Sequence, residues 1–131
     1  MKAYNLDYFS SRGWAFALVK EGKILYHSKS QGLRPLIFCI KNYKAQMRGA
    51  TVYDKIIGRA AALLLCYGGV KKVLTLVISR GALIVLQRGG AEVKYGKITR
   101  QIFNQQGTDL CPMEKLSRGK SVQKFCKILD L

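Results

Sequence analysis

Residues 51–69, TVYDKIIGRAAALLLCYGG, constrain this chain more than any other stretch, because three residues, Asp54, Lys55 and Gly58, open a run that is otherwise nearly apolar. Thr51 followed three residues later by Asp54 has the form of a capping box. Tyr53, Ile56, Ile57, Ala60, Leu63, Leu64 and Tyr67 then fall at helical spacing. The pattern predicts a helix from Thr51 to about Cys66, with Gly68 and Gly69 as its stop. A helix start offers unpaired backbone N–H groups and the positive end of a dipole, so polar side chains gathered there point to a ligand site. The plainer alternative is that Asp54 only caps the helix while Lys55 is solvated. Gly58 favours the ligand reading, since a glycine inside a helix costs about 1 kcal/mol relative to alanine and calls for a close approach by a ligand or another backbone.

The flanking segments supply a sheet for this helix to lie on. WAFALVK (14–20) and KILYH (23–27), joined by Glu21-Gly22, predict a β-hairpin. Pro35 suits the first turn of a helix running to about Lys44. VLTLVIS (73–79) is too apolar for a surface strand and is expected at the centre of the sheet. GALIVLQRGG reads as a short helix with a glycine stop and AEVKY (91–95) as a strand, which together give a right-handed strand–helix–strand unit with parallel pairing. A short helix is expected over Ile98–Phe103 and another at PMEKL. An amphipathic helix is expected from Ser121 onward, with Val122, Phe125, Cys126 and Leu129 on one face.

A chain of 131 residues, 49% hydrophobic, suffices for one domain with its own core. The longest nearly apolar run, Ala60–Val70, is far shorter than the roughly 20 residues a membrane span requires. The N-terminus lacks the continuous apolar core of a signal peptide, so a cytoplasmic location is expected. Cys39, Cys66, Cys111 and Cys126 are widely separated, with no C-x-x-C pair and only His27 to join them, so zinc spacing is absent and no cofactor is expected. The thiols should be reduced and buried, with Cys111 the exception. The formal charge of +16, from 23 basic against 7 acidic residues, attracts anions at a distance. Its two readings are a nucleic-acid or phosphate surface and a merely solubilising spread of lysine and arginine.

Three other groups could carry chemistry. In GTDLCPMEK (107–115), Gly107 permits a turn and Cys111 falls at the N-cap of a helix whose dipole favours the thiolate. A nucleophilic cysteine also needs a general base, and His27 is remote in sequence, so simple packing before Pro112 is the competing reading. His27 itself is assigned no role. Tyr4, Tyr8, Phe9, Arg12 and Trp14 interleave aromatic and basic residues, but match no stacking motif and are expected to pack the N-terminus on the body.

Taken in order, GLRPL, TVYDKIIGRAAALL, VLTLVIS and GTDLCPMEK resemble an uncharacterised prokaryotic family of unknown function with a zinc-free cytidine-deaminase-like fold. The resemblance covers roughly residues 14–117 and rests on the D-K-x-x-G-[KR]-A-A-A helix and the C-P-M-E segment. It implies a three-layer α/β domain with a mixed central sheet flanked by helices. Zinc deaminases place H-x-E at the start of one helix and P-C-x-x-C at the start of the next. Here those starts read Asp54-Lys55-Ile56 and Ser79-Arg80-Gly81-Ala82, so the resemblance implies no metal and no zinc-activated water. It also implies that Asp54, Lys55 and Gly58 stand at the inherited pocket, with Thr108, Cys111 and Glu114 nearby. The chain departs from the family pattern at Gln105-Gln106 and Asp109-Leu110.

The expected function is binding of a nucleotide or related phosphorylated small molecule. The alternatives are an RNA- or DNA-binding module using the basic surface, and an enzyme working through Cys111 or through Asp54 with Lys55.

Overall fold

Glu21 and Gly22 both take left-handed backbone, φ 51° and 79°, which is the geometry of a tight turn between twisted antiparallel strands. They join β1 (Phe16–Lys20) to β2 (Lys23–Ser28) in the expected hairpin. The computed structural model describes residues 4–100 and 112–131. Before the hairpin lies α1 (Leu6–Ser10), whose first turn is capped by Asn5 Oδ1 accepting from the Tyr8 N–H at 2.9 Å. After it come α2 (Arg34–Asn42) and the single turn α3 (Lys44–Met47), so the expected helix ends two residues early and restarts after Tyr43.

The expected helix start at Thr51 is a strand. Thr51–Asp54 is β3 and Ile56–Ile57 is β4, and the helix α4 runs only from Arg59 to Gly68. The reason is local: Thr51, Val52, Tyr53, Ile56 and Ile57 are β-branched or aromatic and favour extended backbone, whereas Ala60 to Leu65 are among the strongest helix formers. Gly58 is therefore the N-cap, with extended backbone at φ −98° and ψ −177°, and not an interior glycine, so the helical-interior penalty does not apply to it. The apparent helical spacing of Tyr53 and Ile57 arises because the two side chains belong to strands that bury residues on both faces.

β5 (Lys72–Ser79) is central, as expected, and α5 (Arg80–Arg88) leads into β6 (Glu92–Thr99). β6 pairs parallel with β5 from Lys72↔Glu92 to Ser79↔Thr99, so Ile98 and Thr99 are strand where a helix was expected. Arg100 is a bend, and residues 101–103 of that expected helix lie outside the described residues. The strand path is β2-β1-β3-β5, with β4 and β6 also on β5. β6 pairs along the whole of β5, whereas β3 takes Lys72–Leu74 and β4 takes Val77–Ile78. β3 and β4 thus share one edge of β5, and β6 holds the other. β1 is antiparallel to both β2 and β3, so the sheet is mixed.

Alternation along the strands divides the core in two. Phe16, Leu18, Val52, Ile57, Val73 and Ile78 face α2, α4 and α5. Ala17, Val19, Tyr53 and Leu74 face Phe9 of α1, with Tyr4, Tyr8 and Trp14 packed around them. The result is a three-layer α/β arrangement in which α4 is the inner helix, with every residue from Ala60 to Leu65 buried. α6 (Pro112–Ser117) and α7 (Val122–Ile128) pack against α4, and Phe125 is fully buried there.

Gly96 lies between Tyr95 and Lys97, which pair with Thr75 and Val77, and so stands beside Leu76 of β5. A Cβ at this position would lie 3.0 Å from the Leu76 carbonyl oxygen. Gly96→Ala should therefore push β6 off β5 and cost about 1 kcal/mol, visible as a lower urea midpoint at unchanged m. An unchanged midpoint would show that the strand absorbs the methyl group.

Candidate functional site at the strand ends

Asp54 is the last residue of β3 and pairs with Phe16 of β1. Val52 belongs to the α4-side core and Tyr53 to the α1 side, so alternation puts Asp54 on the α4 side. Its residue is only 6% exposed. Burial in low dielectric raises its carboxyl well above the ordinary aspartate range, and the backbone N–H of Ile56, bonded to the carboxylate, pulls the other way with smaller effect. Among the described residues no cation contributes to its titration. Tyr53, next in the chain, has a hydroxyl that is buried without a hydrogen-bond partner, and both burial and the Asp54 charge push its titration upward.

Lys55 is the hinge between β3 and β4. Its N–H donates to the Ala15 carbonyl at 2.9 Å, and its carbonyl accepts from the Val77 N–H and from Thr75 Oγ1, both at 3.2 Å. The backbone is thus pinned on both sides while the side chain is exposed. Thr75 is fully buried, and its hydroxyl bridges the Lys55 and Val77 carbonyls at the break in the ladder. The interruption at Lys55 therefore carries a lysine out to solvent immediately beyond a buried carboxyl.

β4 and β5 are parallel neighbours, and each runs directly into a helix, β4 through Gly58 into α4 and β5 through Ser79 into α5. Two helix starts therefore open at the same ends of adjacent strands, the place where α/β sheets form their binding crevices. They differ in capping. Ser79 Oγ accepts from the Ala82 N–H at 3.1 Å, whereas Gly58 offers no side chain to α4. Correcting the helix start moves the comparison with H-x-E from Asp54-Lys55-Ile56 to Gly58-Arg59-Ala60, and that triplet also lacks histidine and glutamate. Among the described residues no three His, Cys, Asp or Glu side chains gather as a metal site.

Asp54, Lys55 and Gly58 fall within five residues of chain, Asp54 ending β3, Lys55 between β3 and β4, and Gly58 following β4 as the N-cap of α4. Thr108 and Cys111 lie outside the described residues. Glu114 falls in α6, which packs against α4, but its side chain lies outside the described residues. Sequence reasoning missed Arg59. Its Nε donates to the Ser117 carbonyl at 3.3 Å and its Nη2 to the Lys120 carbonyl at 2.9 Å, tying the α6–α7 turn to the start of α4. The available signal was the basic residue directly after Gly58 in the segment already singled out. The remaining described cysteines behave as apolar filling: burial pushes the Cys39 thiol up to about 12 and raises those of Cys66 and Cys126. All three are free thiols. His27 is exposed and stacks on Trp14, with ring centroids 4.0 Å apart.

The family described as "TM1506: Domain of unknown function (DUF1893)" matches residues 6–130. The chain belongs to the DUF1893 family. A DUF1893 protein from Thermotoga maritima has a similar crystal structure, with a TM-score of 0.86 at 26% identity, over 95% of this chain and 84% of that one. Two larger proteins are less similar in shape. RibD of Acinetobacter baumannii has a TM-score of 0.52 at 21% identity, over 62% of this chain and 27% of that one. A diaminohydroxyphosphoribosylaminopyrimidine deaminase/5-amino-6-(5-phosphoribosylamino)uracil reductase of Thermotoga maritima has a TM-score of 0.52 at 18% identity, over 70% and 36%. These two share the deaminase-like fold with the DUF1893 chain. A comparison with curated proteins returned no match. No described helix of the DUF1893 chain is long and apolar enough to cross a membrane.

Proposed function

We propose that this DUF1893 protein binds a nucleotide or related phosphorylated small molecule, without zinc, where β3–β4 and β5 run into α4 and α5. Asp54, Lys55 and Gly58 form the described part of the site, and Thr108, Cys111 and Glu114 complete it. The observation that carries this reading is Asp54, a carboxyl held almost out of solvent with no cation among the described residues acting on it, followed at once by an exposed lysine and by Gly58, an N-cap with no side chain. Carboxyls whose titration is raised by burial concentrate at functional sites. The division of labour is direct. Lys55 and the positive end of the α4 dipole suit phosphate oxygens, while a carboxyl that keeps its proton above the usual pH can donate a hydrogen bond as well as accept one. The name of the larger Thermotoga maritima neighbour, which describes an enzyme of phosphoribosylaminopyrimidines, supports a ligand of the nucleotide class.

Calorimetric titration of the protein with a panel of nucleoside mono- and diphosphates tests this. One member should bind, and Lys55→Gln should weaken it about tenfold, the loss of one charge-assisted contact. Asp54→Asn should change the pH dependence of that affinity. A panel that is silent throughout, or binding that neither substitution alters, would remove the proposal, and stoichiometric zinc in the purified protein would remove its zinc-free part.

A further inference from the structure

α2 presents an unusual outer face. Arg34, Phe38 and Lys41 are all exposed and stand four and three residues apart, so they form one stripe along the helix. Phe38 is 43% exposed, although a phenylalanine on an outer helix face normally gives way to a polar residue. Its ring stacks on Tyr26 of β2 with centroids 4.9 Å apart and planes 23° off parallel. Tyr43 closes the other side, 6.2 Å from Tyr26 and 6.3 Å from Phe38. The ring is therefore held in place from behind and from one side, while much of its surface remains open to water.

The chain on either side of this helix is basic. Between Glu21 and Asp54 the chain has no Asp or Glu, but it has Lys23, Lys29, Arg34, Lys41, Lys44 and Arg48. Lys44 donates to the Tyr67 hydroxyl at 3.2 Å, and its charge reaches Cys126 of α7. α7 in turn lines a groove of about 330 Å³ with Lys120, Lys124, Lys127 and Ile128.

We propose that the Arg34–Phe38–Lys41 face of α2, backed by Tyr26, is a landing site for single-stranded nucleic acid, with a base stacking on Phe38 and flanking phosphates on Arg34 and Lys41. The inference stands apart from the nucleotide site at Asp54 and does not need it. Arg34 to Lys41 spans about 10 Å along the helix axis, close to three stacked nucleotides at roughly 3.4 Å each. A fixed aromatic face between cations is the pairing that sequence-tolerant single-strand binders use. The other occupants fit less well. A second copy of the chain would bring another formal charge of +16 against this one. A lipid surface calls for a broad apolar face, and here a single aromatic ring is flanked by charge. Duplex DNA hides its bases from a ring on a convex helix.

Fluorescence anisotropy decides it, using a labelled uridine oligonucleotide, the thymidine DNA strand of the same length, a duplex and heparin across a salt series. Both single strands should bind more tightly than the duplex. Phe38→Ala should weaken them about 5- to 100-fold and leave heparin unchanged, and Phe38→Trp should restore binding. Arg34→Gln and Lys41→Gln should each flatten the slope of log affinity against log salt by about 0.7, a readout that survives even if Phe38→Ala folds poorly. Equal losses for heparin and oligonucleotide, salt slopes unchanged in both charge variants, duplex preferred over single strand, or a dimer in sedimentation that Phe38→Ala dissolves would each overturn the proposal.

Discussion

Arg59→Gln should destabilise the protein by about 2–3 kcal/mol, lowering Tm by roughly 5–12 °C, the largest effect expected from any single polar side chain at the candidate site. The guanidinium makes two charge-assisted bonds to carbonyls, Ser117 at 3.3 Å and Lys120 at 2.9 Å, that otherwise end a helix and begin a turn. Hydrogen bonds to charged groups contribute about 1.5–3 kcal/mol each, and the partial exposure of Arg59 discounts their sum. Ser117 is fully buried, so water replaces the lost donor poorly. Arg59→Lys should recover less than half of the loss, because an ammonium cannot span two acceptors as a fork. The damage should be local first. Hydrogen exchange in α7 should accelerate more than in β5, since α7 is fastened to α4 by this clamp and by Phe125. Exchange rising equally in both elements, or an unaltered Tm, would mean that Phe125 alone anchors the C-terminal helices. The clamp also bears on function, for the same α6 carries Glu114 and packs on the start of α4.

The comparison of Arg59 with Thr51 shows what was readable beforehand and what was not. The hairpin, the central strand 72–79, the parallel partner that follows it and the amphipathic C-terminal helix could be read because each rests on local chemistry, a glycine turn or a hydrophobic period. β3 and β4 could not, because six residues of strand, a hinge and a helix start were compressed into apolar spacing that mimics a 3.6-residue period. Propensity held the missing information: four of the six strand residues before Gly58 are Val, Ile or Thr, and helix formers begin only after it. Polar partners were out of reach for a different reason. That Arg59 meets carbonyls 58 and 61 residues away depends on where α6 and α7 land, and no local pattern encodes such a distance. Asp54, Lys55 and Gly58 were singled out on a helix start that the structure replaces, since Asp54 ends β3 and only Gly58 stands at the start of α4. The structure moves the cap from Thr51 to Gly58, four residues after Asp54 and three after Lys55.

Asp54→Asn should stabilise the protein at pH 8 by on the order of 1–3 kcal/mol and have almost no effect near pH 4. The sign follows from the direction of the shift. An unfolded aspartate titrates near 3.9, whereas burial holds the folded carboxyl protonated to higher pH. Above pH 4 the unfolded chain has released its proton while the folded chain still binds it, so the folded state loses stability steadily as pH rises through the folded value and then levels off. Below pH 4 both states are protonated and nothing is gained. Asparagine imitates the neutral carboxyl and still accepts from the Ile56 N–H, which removes the slope without removing that bond. The measurement is a series of urea melts from pH 4 to 8 for both proteins. A stability difference that does not change with pH, or a wild type more stable than Asp54→Asn at pH 8, would show that a partner compensates the Asp54 charge. A ligand reverses part of this penalty, because a cationic or hydrogen-bond-donating group placed against Asp54 supplies what the fold withholds. Any such ligand should therefore raise Tm most at high pH, where the uncompensated carboxylate is costliest, and an anionic ligand that needs the protonated carboxyl should do the opposite. The pH at which a ligand stabilises best thus reports which form of Asp54 it uses.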